Sequence, residues 1–159
     1  MNLLKNTLNE KFEYVDGNFI WKKTSRKSLI GCIAGVKHPK GYTQIYICGK
    51  RYLLHRLIFL NYYGVMPSQI DHIDAVISNN RIENLRGCTD SQNRFNAHKP
   101  KNNTSGYKNI YWDKSRFKWV VNVAGEGKTL IKRFNDLSDE IYAANEARQK
   151  LHGEFARHA

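Results

Sequence analysis

The chain has 159 residues, 41% hydrophobic and 12% aromatic, with 26 Lys+Arg against 14 Asp+Glu and a formal charge of +12. That is enough apolar material for one core or two small ones, and the basic excess points to a polyanionic partner, as in nucleic-acid-binding, ribosomal and membrane-surface proteins. Cys32, Cys48 and Cys88 are odd in number and lack C-x-x-C spacing, so neither a disulfide framework nor a structural zinc site is indicated. No run approaches the length of a membrane span, and the first residues hold no apolar core followed by a cleavage site, so the expected compartment is the cytoplasm.

The charge is uneven. Residues 1–50 carry nine basic and three acidic groups and residues 99–133 nine and two, whereas residues 51–98 carry five and four and residues 134–159 three and five. Two basic arms around a nearly neutral middle suit a chain whose arms hold phosphates while the middle does chemistry. For the first fifty residues a merely solvated basic surface is the alternative.

In residues 12–23, Asp16-Gly17 lies between two short β-prone runs, a strong hairpin signal. Residues 24–28 read as a basic loop. A second strand pair, 31–36 and 42–48, is joined through H-P-K-G at 38–41, and a turn at Gly49-Lys50 leads into 51–54. His38, beside Pro39, reads as an exposed loop histidine. Over 52–63 the positions Leu53, Leu54, Leu57, Ile58, Leu60 and Tyr62 suit a helix largely buried on one side, stopped by Gly64 and Pro67. His55 has no acidic neighbour and reads as a core or cap histidine in preference to a catalytic one, and Arg56 has the reach for phosphate.

Residues 69–73 read as a short strand with Ile70 and Ile73 on its buried side, which brings Asp71 and His72 to a strand end facing a groove. A loop through Ser78-Asn79-Asn80 leads to a return strand at 85–88. Thr89-Asp90-Ser91-Gln92 is a capping box opening a helix that carries Asn93 in its first turns. Asn84 follows His72 by twelve positions, and Asn93 follows Asn84 by nine. A carboxylate beside a histidine supplies one hard anionic ligand and one group that takes a proton near neutral pH, and the two amides orient or ligate.

The Asp-His pair, these spacings, H-R-L at 55–57, Y-G at 63–64 and N-N-R-I-E-N-L-R at 79–86 together resemble the HNH endonuclease family, in the variant of phage-type homing endonucleases where asparagine replaces the last histidine. The resemblance implies a strand–loop–strand–helix (ββα-metal) unit with His72 as general base and Asn84 holding the imidazole. It makes Asp71 and Asn93 the ligands of a divalent cation, Mg²⁺ or another such as Mn²⁺. Arg81, Arg86 and Arg94 are candidate DNA contacts. One departure is the loop after Asp-His-x-Asp, polar and glycine-containing in that family but Ala75-Val76-Ile77 here. Alanine resists a backbone turn that glycine permits, so a reshaped loop is expected, with Val76 and Ile77 packed inward or facing DNA.

K-P-K-N-N-T-S at 99–105 reads as a polar connector. The expected organisation is an N-terminal β region and nuclease domain at 1–98, a linker at 99–106 and a second domain at 107–159. In the last, 108–112, 118–123 and 129–134 read as strands, with Phe117, Trp119, Val121 and Val123 on one face and Gly125-Glu126-Gly127 in the turn. Ser138 is expected to cap a helix to Leu151, with Leu137 and Tyr142 as staple, Gly153 as stop, and Ala143, Ala144, Ala147 and Leu151 as its sheet-facing side.

N-T-S-G-Y-K at 103–108, W-D-K at 112–114, K-W at 118–119 and L-H-G-E-F-A at 151–156 resemble the APETALA/ERF-type DNA-binding domain. That resemblance implies a three-stranded sheet laid into the major groove. Lys108, Tyr111, Lys114, Arg116, Lys118, Lys132 and Arg133 become candidate phosphate or base contacts, with Trp112 and Trp119 packing or touching sugars. Asn145 stands where that family often has tyrosine. His152 and His158 read as terminal-turn and tail residues.

The expected fold class is α+β: a ββα-metal HNH nuclease unit preceded by small β-hairpins, plus a C-terminal three-stranded antiparallel sheet packed on one helix. The expected function is metal-dependent hydrolysis of phosphodiester bonds in double-stranded DNA by a monomer of phage or mobile-element type, in the host cytoplasm. A DNA-binding regulator on the same scaffold that has lost cleavage is the main alternative. An RNA-binding accessory protein is the other, since basic charge does not separate RNA from DNA.

Overall fold

The structure, a computed structural model, describes residues 2–125 and 127–158, so Glu126 of the expected turn lies outside the described residues. Two compact units divide the chain, Met1–Cys88 and Thr89–Ala159. Helix α1 (Asn2–Lys11) precedes the elements expected from sequence and sets Leu4 and Leu8, four residues apart on one face, against the core of the first unit. Strands β1 (Phe12–Val15) and β2 (Asn18–Trp21) form the expected hairpin. Asp16 and Gly17, both with positive φ, make its two-residue turn. Gly17 is needed for a second reason: a Cβ there would meet the Arg81 backbone nitrogen at 2.8 Å, so the hairpin tip presses on the segment at Asn80 and Arg81.

The next segment departs from the expected strand at 31–36. Residues 32–34 run beside β2, with Trp21 N–H donating to Cys32 O and Ala34 N–H to Phe19 O. The chain then crosses at Gly35, φ 108, where a Cβ would meet Thr43 Cγ2 at 2.7 Å. Only β3 (Val36–Lys37) therefore joins β4 (Thr43–Ile47) and β5 (Lys50–Leu53) in the antiparallel order β3-β4-β5. Tyr52 and Leu53 pair with β4, which delays helix α2 to Leu54–Tyr63. Gly64, φ 75, ends it with its N–H on Leu60 O. Leu54, Leu57, Ile58 and Leu60 of α2 form the centre of a core shared with Leu8, Phe12, Phe19, Ile45, Ile70 and Leu85.

The ribbon of β6 (Gln69–His72) and β7 (Leu85–Cys88) closes the first unit, with Asp71 opposite Arg86 and His72 opposite Leu85. Ile73 falls beyond the strand and is exposed, so Ile70 alone is the ribbon's buried isoleucine.

The second unit opens with α3 (Asp90–Asn96). Both halves of its capping box are formed: Gln92 N–H donates to Thr89 Oγ1, and Thr89 N–H to Gln92 Oε1. Strands β8 (Ile110–Asp113), β9 (Lys118–Gly125) and β10 (Lys128–Phe134) make one antiparallel sheet, order β10-β9-β8, packed on α4 (Leu137–His152). Val121, Val123 and Trp119 face Ala143, Ala144 and Ala147, as the alternation predicted. Phe117 does not join them; it sits in the β8–β9 turn at φ 50, 76% exposed. Asp136, not Ser138, caps α4, accepting from Ser138 N–H. Tyr142 points outward, and Ile141 packs with Leu137 in its place. The fold is α+β, with the small sheets and the final sheet-on-helix layer that the sequence implied.

Candidate active site and nucleic-acid surface

Successive strand residues project to opposite faces, so Asp71 and His72 leave β6 in different directions, and both are buried. Asp71 meets the residue directly across the ribbon: Arg86 donates Nε and Nη2 to Asp71 Oδ2 at 3.0 and 2.8 Å. Arg86, a candidate DNA contact, is thus committed to a carboxylate. His72 Nε2 lies 3.1 Å from Asn80 Oδ1. In the tautomer that donates Nε2–H to this amide, Nδ1 is the proton-accepting nitrogen.

The sequence assigned the imidazole to Asn84, but the amide of Asn84 is used elsewhere. Its Nδ2 donates to Asp74 Oδ1 at 2.9 Å and Asn79 O at 2.8 Å, and its Oδ1 accepts from Asp74 N–H. Asp74 also accepts from Val76 N–H and Asn79 Nδ2. Burial works against ionisation of Asp74, but the bonds from Asn79, Val76 and Asn84 outweigh it and hold the carboxyl below its ordinary pKa. This network closes the loop so that Asn80 lies under His72. Asn80 has no spacing signature of its own; only the closed loop identifies it. Ala75 takes the turn that the sequence marked as a glycine position, at φ 60. Val76 is exposed, and Ile77 packs over Gly41, where a Cβ would meet Ile77 Cδ1 at 2.8 Å.

His55 is buried with its ring 5.0 Å from that of His72, edge to face, and 5.6 Å from Tyr42. Burial, then the charges of His72 and Arg56, push its pKa down to about 4. It is a neutral core histidine packed on the candidate base. Arg56 donates to Ser68 O and Pro67 O, which fixes the entry to β6.

Residues 52–95 match the family described as HNH endonuclease. Over 120 residues, 74% of this chain and 97% of the relative, the chain is 37% identical to Protein 3.8 of Escherichia phage T7. The chain is a relative of that protein and carries an HNH endonuclease family domain at residues 52–95. No solved structure matches it. The HNH segment runs past the division at Cys88, so Asn93, half-buried in α3, counts with the second unit.

Among the described residues no group of three or more His, Cys, Asp or Glu gathers as a closed metal cage. The buried carboxylate of Asp71 suits the other way of holding a hard divalent ion, in which few protein oxygens bind it and water and phosphate fill the remaining positions.

The remaining candidates divide by what their cations touch. Lys108 is buried, its Nζ donating to Phe95 O and Ala97 O at 2.7 and 2.5 Å. Burial, then the charges of Arg148 and Arg157, lower its pKa to about 8. Its ammonium is engaged by the last carbonyls of α3 within its own unit. Tyr111 and Arg133 flank Val120 in the sheet register and share its face with Lys118, which bonds to Asn135. Lys132, opposite Val121, lies on the helix side, in a hollow with Ala143 and Glu146. Lys114 and Arg94 are exposed, while Arg116 pairs with Asp113 and Arg81 with Asp16 at the surface. His152, read as a terminal-turn residue, is buried: it stacks on Phe95 at 4.0 Å and lies 2.9 Å from Ala124 O.

Proposed function

We propose that this chain is a divalent-metal-dependent DNA endonuclease of the phage HNH type, acting as a monomer on double-stranded DNA in the cytoplasm of the host cell. The observation that carries the reading is His72, a buried strand histidine held by Asn80 inside the segment that belongs to the HNH family. His72 Nδ1 removes a proton from the water that attacks phosphorus as the bond to the 3′ oxygen breaks. Asn80 keeps the ring in register for that transfer, and the Asp74–Asn84–Asn79 network keeps Asn80 in place.

Asp71, oriented by Arg86, and Asn93 would hold Mg²⁺ or Mn²⁺, which when bound supplies positive charge to the scissile phosphate and its leaving oxygen. With one protein carboxylate, already paired with Arg86, metal affinity without DNA is weak. We further propose the organisation 1–98 nuclease, 99–106 linker and 107–159 DNA-binding domain. In the last, the APETALA/ERF resemblance makes the face bearing Tyr111, Lys118 and Arg133 a major-groove contact. Lys114, Arg116, Lys132, Arg81 and Arg94 serve phosphates.

The test is conversion of supercoiled plasmid with and without Mg²⁺. The wild type is expected to give open-circle or linear DNA only with metal. His72→Ala is expected to lose about 10²–10⁴-fold in rate while retarding DNA equally. A second reading, a regulator that binds DNA without cutting, is favoured by one observation: Arg86 already neutralises Asp71. A wild-type protein that retards DNA and leaves it intact in both Mg²⁺ and Mn²⁺ would establish it.

A further inference from the structure

In the first unit, between β2 with the segment beside it and the β3-β4-β5 sheet, lies a cavity of about 600 Å³ that the cleavage chemistry leaves unused. Its walls are Trp21, Leu29, Ile33, Val36 and Tyr46, with Arg51 among them. Ile33, Val36 and Tyr46 are 64%, 67% and 67% exposed around this concavity. Apolar and aromatic surface gathered at one hollow and left uncovered by folding marks a binding site.

Charge decides the occupant. From residue 17 to residue 70 the chain contains no Asp or Glu and nine Lys or Arg. Two of the nine are engaged, Lys23 with Glu10 at 2.5 Å and Arg56 with the carbonyls of Pro67 and Ser68. Of the rest, Arg51 lines the hollow itself, directly opposite Tyr46 in the β4–β5 register. A second copy of the chain carries the same +12 and is repelled overall by this surface. An anionic partner with flat aromatic groups matches both the walls and the rim.

We infer that this groove takes an unpaired base of single-stranded DNA, its ring face against Tyr46 and Trp21 and its flanking phosphates on the neighbouring Lys and Arg. A base within a duplex has its faces covered by its neighbours in the stack, so only an unpaired base brings a bare face to such a hollow. The inference rests on the DNA-cleaving reading and adds a strand-opening preference to it.

The experiment is fluorescence anisotropy in EDTA, where nothing is cut, with a short labelled oligothymidylate and a duplex of equal length. Wild type is expected to bind the single strand and to lose Trp21 emission, read as the difference from Trp21→Phe. Tyr46→Ala should weaken single-strand binding about 5- to 150-fold with an unchanged salt slope. Ile33→Ser should weaken it too, Tyr46→Phe should retain it, and duplex affinity should not move in any of them. Ile33 and Tyr46 are surface-exposed, so their substitution leaves the core of the first unit intact. If Tyr46→Ala and Ile33→Ser bind the oligothymidylate like wild type, the groove has another occupant, such as an acidic protein segment, and the inference is overturned. Duplex binding without single-strand binding overturns it and leaves the nuclease reading standing; binding to neither DNA overturns both.

Discussion

Replacing Glu140 with glutamine should stabilise the second unit at neutral pH and leave it unchanged in acid. Glu140 is in the first turn of α4, fully buried, and neither of its carboxylate oxygens has a hydrogen-bond partner among the described residues. Burial, then the charges of Asp136 and Asp139, raise its pKa from the ordinary 4.5 to about 7. Between these values the folded unit keeps a proton that the unfolded chain has released. Stability is therefore complete below pH 4.5 and falls as pH rises through 7. The gap corresponds to about 3 kcal/mol lost by about pH 8, an upper figure because the N-terminal end of the helix dipole favours the charge. Glutamine keeps the volume and cannot ionise. Its buried amide replaces a protonated carboxyl of similar polarity, so the difference isolates the charge. Urea unfolding across this pH range, followed by Trp112 and Trp119 fluorescence in a Trp21→Phe background, should show the variant's midpoint diverging upward from wild type only above pH 4.5, with the slope m unchanged. Midpoints that coincide at every pH would refute the burial argument. A gain that persists in acid would assign the effect to packing.

The first unit should respond to pH with the opposite sign. His55, depressed from 6.5 to about 4, costs up to about 3 kcal/mol as pH falls through that window, so His55→Leu should flatten the acid limb of unfolding read by Trp21. Asn80→Ala removes a buried hydrogen bond to His72, about 1–3 kcal/mol, and should slow plasmid cleavage about 5- to 150-fold with DNA binding intact; a rate equal to wild type would remove Asn80 from the site. Ala75→Gly relieves a left-handed alanine and should raise the urea midpoint of the first unit by up to about 1 kcal/mol after the entropy of glycine in the unfolded chain is deducted. An unchanged or lowered midpoint would contradict the strain.

The elements readable from sequence are those whose signals are local. Asp16-Gly17 supplies the two positive-φ residues of a hairpin, Thr89 and Gln92 cap each other within one turn, and Gly64 ends α2 through its own backbone. What escaped depends on partners distant in sequence. Asn80 reaches His72 only because Asn84, via Asp74, closes the loop behind it. Lys108 looks like a surface cation in a basic segment, yet its ammonium closes two carbonyls at the end of α3, and Arg148 caps its own carbonyl from α4. Phe117 continues the alternation of β9 in sequence, but the β8–β9 turn takes it out of the strand. Leu4 and Leu8 are a short apolar pair with no cap or glycine to announce α1, and its helicity rests on packing against the first unit's core.

The ribbon and the loop hold Asp71 and His72 by different means. Asp71 is fixed by a residue directly opposite it in the ribbon, so its position is as stable as the pairing of β6 with β7. His72 is fixed through a buried bond to Asn80 in the loop between those strands, and the bonds that close this loop are mostly between side chain and backbone near the surface. Substitutions in residues 74–80 therefore change the orientation of His72 before they change the fold, whereas substitutions at Ile70 or Leu85 remove core contacts and unfold the ribbon with both groups on it. Ala75 is an instance of the first kind. Its strained backbone is held by three bonds to the Asp74 carboxylate, so the loop keeps Asn80 under the imidazole without the glycine. The loop can lack that glycine and still hold His72 through Asn80, provided Asp74 and Asn84 stay paired, so on the proposed reading cleavage should follow that pair more closely than the identity of residues 75–77.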